Sequence, residues 1–293
     1  MTADRTCDVC GAPTTLFLGW VSSCGRCGFL ASALTPGAGT GVDGIEELRR
    51  LNFERLLDRL DAVHPLAGTH LLEVGSARGW FLEAARRRGA TVTGIEPELA
   101  NAEFARSLGF DVVSGFFPDD LPDRGPFDVI VFNDVFEHLP RPGTMLATVA
   151  ALLAPGGTVA IKIPSSDGVP FRIASLMARA GADRLYARLW QKGFASPHVS
   201  YFSPRNLELL ARRHTPLRLI ESFPLPAVAR HGLRARIAAS HRGARGLVLF
   251  AGLWLFSFVS RALPSDIEVL IFERPPLANE AATHLPSAAG AHA

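Results

Sequence analysis

Lysine is almost missing from this chain: of its 30 basic residues only Lys162 and Lys192 are not arginine, and tyrosine occurs just twice. The net charge is only +2, so no global field steers an anionic polymer to the surface, and arginine richness alone is no sign of nucleic-acid binding. Cysteine is absent beyond Cys27. The opening "MTADRTCDVC" is polar and lacks an apolar core, which argues against a secretory signal and for a cytoplasmic protein. Acids are absent from Ser222 to Ser265, where six arginines surround the charge-free run "LVLFAGLWLFSFV", Leu247 to Val259. As a helix that run would span about 20 Å, short of the ~30 Å hydrocarbon core, so it is not expected to cross a membrane. The loop "GSARG", Gly75 to Gly79, has no Lys-Ser/Thr and no third glycine, which excludes a P-loop and the dinucleotide fingerprint.

What is present begins with the cysteines, arranged as Cys7-x2-Cys10 and Cys24-x2-Cys27 with 13 residues between the pairs. Each pair can form a tight turn whose N–H groups face sulfur, and two such turns make a four-thiolate shell for Zn²⁺. Paired spacing in a cytosolic protein favours zinc over two disulfides. A closed shell leaves no open coordination position, so the metal is expected to be structural and remote from the chemistry.

The spacing predicts a zinc ribbon over 1–34, a Pro/Gly-rich linker over 35–44 and a main domain over 45–274, followed by a disordered tail over 275–293. From Ile45 to Pro65 a helical period places Phe53, Leu56, Leu57, Leu60 and Val63 on one face. Short apolar runs follow at Leu71–Val74, Thr91–Ile95, Asp111–Val113, Asp128–Phe132 and Thr158–Ile163, alternating with amphipathic segments. That order gives an α/β, doubly wound, mostly parallel sheet with helices on both faces. Arg218–Phe223 and Ile267–Phe272 add two strands, the latter antiparallel, with 222–265 as an insertion between them.

Four segments in order carry a resemblance: "LLEVGSARG", "GIEP", "FDVIVFNDVFEHLPRP" and "LLAPGGTVAIKIP", with "PHVSYFSPRNLELL" after them. Together they resemble the class I S-adenosylmethionine-dependent methyltransferases, and most of all bacterial enzymes that modify glycans, quinones and natural products, several with an N-terminal zinc-binding segment. The resemblance implies a seven-stranded Rossmann-like sheet that binds S-adenosylmethionine. It places Glu73, Gly75 and Gly79 around the methionine part and Glu96 on the ribose. Asn133, at the carboxyl end of the fourth strand where ligands bind in open α/β sheets, is a further cofactor-binding candidate. Residue chemistry agrees, since Gly75 admits a close ligand and the carboxylate of Glu96, 21 residues on, accepts from two vicinal hydroxyls. Phe116 is the candidate for stacking on adenine, with Asp119 or Asp120 as alternatives for its amino group. Ala77 departs from the family's middle glycine, and cofactor binding is expected to survive it.

His138 and His198 are the candidate bases for removing a proton from a hydroxyl acceptor, and Tyr201 is a further acceptor-site candidate. Asp134 and His138 share a helical face and could offer two metal ligands, but no third is in view. The sequence therefore reads as an enzyme that transfers a methyl group, most readily to oxygen, with a glycan or lipid-linked acceptor first and a soluble natural product or quinone second. Two readings from other classes are a zinc-ribbon nucleic-acid-binding protein or RNA methyltransferase, and a non-catalytic cofactor-binding scaffold. The first is disfavoured because Arg26 is the only basic residue from Cys7 to Cys27. The acid-free segment suggests peripheral contact through 230–261 with the inner face of a membrane: arginines on anionic headgroups, with Leu249, Phe250, Leu253, Trp254 and Phe256 in the acyl boundary.

Overall fold

A computed structural model describes residues 6–39, 46–123, 125–226 and 263–276, with scattered positions between 237 and 254. A seven-stranded sheet forms its centre: β4 (His70–Val74), β5 (Thr91–Glu96), β6 (Asp111–Ser114), β7 (Phe127–Asn133), β8 (Leu153–Pro164), β10 (Arg218–Leu225) and β11 (Ile267–Glu273). Their spatial order is β10-β11-β8-β7-β4-β5-β6, and β11 alone runs against the others. Both faces are covered, which is why these strands read as near-continuous apolar runs. Along β7, Val129 and Val131 point to one face while Ile130 and Phe132 point to the other, and all four are fully buried.

One face packs on α1 (Glu46–Val63), α2 (Trp80–Arg87) and α3 (Leu99–Ser107). Phe53, Leu56, Leu57 and Leu60 of α1 are buried there, whereas Val63, expected on the same face, is exposed in the last turn of the helix. The other face packs on α4 (Pro142–Leu152), α7 (Pro204–His214) and the N-terminal ribbon. A capping box starts α7: Asn206 N donates to Ser203 Oγ, Ser203 N donates to Asn206 Oδ1, and Pro204 fills the first turn. Arg212, Arg213 and His214 close it at the negative end of the dipole. Two short helices, α5 (Val169–Arg179) and α6 (Arg184–Leu189), lie between β8 and the ribbon.

The ribbon strands β1 (Thr14–Phe17), β2 (Val21–Cys24) and β3 (Leu30–Ser32) form an antiparallel meander. A fourth strand comes from far along the chain: β9 (Ser200–Tyr201) pairs with β3. Among the described residues no helix is long and apolar enough to cross a membrane. The arginines and most of the apolar side chains of the proposed membrane contact, and the tail beyond 276, lie outside the described residues.

Candidate active site

The carboxyl ends of β4, β5, β7 and β8 open into one cavity of about 770 Å³. After β4 the chain turns sharply, with Gly75 and Ser76 both donating to Ile95 O. Gly75 has φ 73°, and a Cβ there would meet Val135 Cγ2 at 2.5 Å, so glycine is required by both backbone and space. Gly79 (φ 79°) starts α2. Ala77 also takes a left-handed conformation, φ 45°. The position thus keeps glycine's geometry at some backbone strain.

Around this loop lie buried polar atoms with spare capacity. Asn133 donates to Glu73 Oε1 at 3.0 Å, leaving Glu73 Oε2, Asn133 Oδ1 and Ser76 Oγ buried without a partner. Burial pushes the Glu73 carboxyl up to about 8, against the opposing donation from Asn133. Such orphans are costly unless a ligand satisfies them, and a cationic sulfonium with an α-ammonium group matches carboxylate acceptors. Glu96, at the end of β5, accepts from Ala77 N at 2.8 Å and Glu98 N at 2.9 Å. Both bonds hold the carboxylate at the cavity edge with lone pairs left for a diol. Phe116, half exposed, and Asp119 lie on the cavity wall, whereas Asp120 accepts from Phe116 N and belongs to the loop itself.

On the other side, a single 3-10 turn, Phe136–His138, brings His138 against His198 with ring centroids 4.7 Å apart at 75°. His138 donates from Nδ1 to Pro197 O at 3.0 Å, which leaves Nε2 as the unprotonated nitrogen. Burial lowers the His138 pKa and pushes His198 down to about 3, so both are neutral near pH 7. Gln191 donates to His198 Nε2 at 2.9 Å. Glu137, fully buried, stands 4.0 Å from His138 Nε2 and 3.9 Å from His198 Nε2, and burial raises its pKa well above the carboxylate range.

Two sequence expectations need correction here. Asp134 does not share a face with His138: its φ of 57° turns the carboxylate toward Lys162 Nζ, and the group that converges is instead Glu137, His138 and His198, whose ligand atoms lie within 4.8 Å of one another. That set could hold a divalent cation or place two imidazoles about one carboxyl. Tyr201 is fully buried, donates to Leu189 O and stacks on Phe171 at 4.2 Å, so it belongs to the aromatic cluster between ribbon and α5. It is not on the cavity wall. Glu137, Gln191 and Lys162 were missed; the available signals were the acid next to His138 and the rarity of lysine.

The four cysteines also converge. Cys7 and Cys27 sulfurs are 3.6 Å apart, Cys10 and Cys24 sulfurs 3.4 Å, and all four ligand atoms lie within 4.8 Å. Both turns are built alike: Gly11 N donates to Cys7 O, and Gly28 N to Cys24 O. The N–H groups of Val9 and Cys10 face the Cys7 sulfur, and those of Arg26 and Cys27 face Cys24. This donor set fits a tetrahedral thiolate metal such as zinc.

A family model described as a methyltransferase domain matches residues 45–214. The ubiquinone biosynthesis O-methyltransferase of Xanthomonas campestris pv. campestris is 33% identical over 160 residues, covering 52% of this chain and 64% of that protein. The corresponding protein of Thiobacillus denitrificans is 29% identical over 163 residues, covering 52% and 66%. The chain thus spans rather less than two thirds of the first of these relatives. Among solved structures, magnesium protoporphyrin IX methyltransferase from Synechocystis PCC 6803, with bound SAH, superposes with a TM-score of 0.53 at 12% identity, covering 80% of this chain and 90% of that one. The cyclase SpnF superposes with a TM-score of 0.51 at 19% identity, covering 84% and 89%. Both share the Rossmann-like fold.

Proposed function

The chain belongs to the methyltransferase domain family, and from that premise we propose that it transfers the methyl group of S-adenosylmethionine to a hydroxyl oxygen of a small aromatic acceptor of the quinol type. One observation carries the reading: the orphaned acceptors Glu73 Oε2 and Asn133 Oδ1 lie in the same cavity as the neutral pair His138 and His198. S-adenosylmethionine supplies an electrophilic methyl carbon on sulfonium. Glu73, Asn133 and the Gly75–Gly79 loop would hold the methionine end, Glu96 would accept from the ribose hydroxyls, and Phe116 with Asp119 would flank the base. His138 Nε2, unprotonated and on the cavity wall, would take the proton of an acceptor hydroxyl. Alignment of oxygen, carbon and sulfur supplies most of the rate. Cys7, Cys10, Cys24 and Cys27 would hold a zinc ion in a closed thiolate shell, a structural role in the ribbon.

The name of the relatives concerns ubiquinone biosynthesis and so favours a quinol over the glycan or lipid-linked acceptor that the sequence put first. The Glu137, His138 and His198 group favours one second reading, in which the three side chains hold a divalent cation that would bind the acceptor oxygen. Incubating the purified protein with catechol or 3,4-dihydroxybenzoate should give products heavier by one methylene group. Chelator-treated and Mg²⁺-supplemented samples separate the two readings. Extracts of a deletion strain should contain a quinone intermediate lacking one methyl group; an unchanged quinone fraction with an undermethylated glycan would overturn the choice of acceptor.

A further inference from the structure

The N-terminal ribbon is bound to the histidine side of the cavity by a continuous main-chain path. β3 pairs with β9 at Leu30↔Tyr201 and Ala31↔Ser200. Next to that pairing, Ser32 N donates to Val199 O at 2.8 Å and Ser32 Oγ donates to His198 O at 3.0 Å. Val199 N then donates to Glu137 O at 2.9 Å. Beneath this path Phe29 packs on Phe202 at 5.0 Å, and Phe202 on Phe136 at 5.6 Å. Phe29 is itself tied to the second cysteine turn, because Cys24 N donates to its carbonyl at 2.9 Å.

The segment leaving the ribbon, which reads as a linker, also reaches the cavity. Pro36, Gly37 and Gly39 lie on its wall. A Cβ on Gly37 would stand 2.9 Å from Ala195 O, and one on Gly39 would stand 2.8 Å from Ala195 Cβ. Both glycines are therefore pressed against the stretch that leads into Pro197 and His198. By contrast, Glu73, Gly75, Asn133 and Glu96 are held by the central sheet and by one another.

We infer that the ribbon and its strap are the acceptor-specificity element: Gly37 and Gly39 let the strap pack directly on Ala195, next to the segment that carries His198, and the metal-loaded ribbon holds His198 and Glu137 in that same wall of the cavity. The inference rests on the methyl-transfer reading above and deepens it. Cofactor and acceptor are then gripped by different parts of the chain. Disturbing the ribbon should loosen the acceptor alone, a split that generalised unfolding does not produce.

The test uses the full chain, zinc-loaded and chelator-stripped, together with Gly39→Val, Gly37→Ala and Ser32→Ala. Hydrogen exchange is read over 28–34 and 196–203, S-adenosylhomocysteine affinity by calorimetry, and KM with 3,4-dihydroxybenzoate as acceptor. Stripping the metal should speed exchange at Ser32 and Val199 at least tenfold, while S-adenosylhomocysteine affinity changes less than twofold. Gly39→Val should raise the acceptor KM at least tenfold at unchanged cofactor affinity, with Gly37→Ala and Ser32→Ala showing smaller shifts in the same direction if the valine variant fails to fold. Unchanged exchange over 196–203 after stripping overturns the inference, as does an acceptor KM that rises only together with a matching loss of cofactor affinity. Should the unmodified protein methylate no catechol, the acceptor assignment fails, and the exchange and affinity measurements still decide the role of the ribbon.

Discussion

Lys162 Nζ lies 2.6 Å from Asp134 Oδ2, joining the end of β8 to the residue that turns the chain after β7. The lysine side chain is only 2% exposed, whereas the aspartate is 35% exposed at the cavity. Removing the aspartate strands a buried ammonium, but removing the lysine leaves a carboxylate that water can reach. Asp134→Ala should therefore cost about 3 kcal/mol in urea unfolding, and Lys162→Met distinctly less. Equal losses would mean that burial of the lysine is not what makes the pair sensitive.

Cofactor binding should release a proton. The Glu73 carboxyl, pushed up to about 8 by burial, is largely protonated at pH 7 in the free protein and ionises beside a bound cation. Affinity should then rise with pH up to about 8 and level off above it. Calorimetry in buffers of different ionisation enthalpy measures the released proton directly. Glu73→Gln should weaken binding and remove the buffer dependence. In the free protein the sign for stability follows from the raised value: the carboxyl's contribution is full below its unfolded range near 4.3 and is lost as pH rises through 8. Glu73→Gln should accordingly raise the melting temperature of the free protein at pH 8.

Ala77 holds φ 45° in the Gly75–Gly79 loop. Relief of that strain, partly offset by the greater freedom glycine has when unfolded, should make Ala77→Gly stabilising by up to about 1 kcal/mol. Thermal unfolding checks the gain. A loss would indicate that the methyl group packs favourably enough to offset its backbone cost.

His138→Ala should lower kcat by about 10² to 10⁴ at unchanged cofactor affinity. Because burial lowers the pKa of His138, the unmodified protein should stay active below the ordinary histidine range near 6.5 and lose rate only at more acid pH. That acid limb should vanish from the residual rate of the variant. A rate that still falls with the same profile would assign the titration to another group.

The sheet was legible because its strands are buried on both faces: Leu71–Val74 and Asp128–Phe132 read as mostly apolar runs, each with a single acid, and fall inside β4 and β7. The cysteine turns and the glycine loop were legible because each repeats a fixed local spacing. Contacts made only by folding were not. His138 and His198 were each visible, but nothing in the stretch between them indicates that their rings touch. β9 is two residues long, too short for any period to show, and the Pro/Gly composition of Thr35–Gly39 says loop whether or not the loop lines a cavity. Tyr201 misled for a related reason, since an aromatic hydroxyl suits an acceptor site and a buried ring stack equally well.

The hydrogen bond from Ser32 to His198 spans 166 residues. On a ribosome adding about 5 to 20 residues each second, the ribbon emerges roughly 10 to 30 seconds before the strand that completes its sheet. During that interval its four thiols and the underside formed by Val9 and Phe29 have no protein cover from β9 or Phe202. A metal captured early by these thiolates would order the cysteine turns before that cover arrives, so metal supply during translation, more than supply to finished protein, is the point at which yield of native chain should respond.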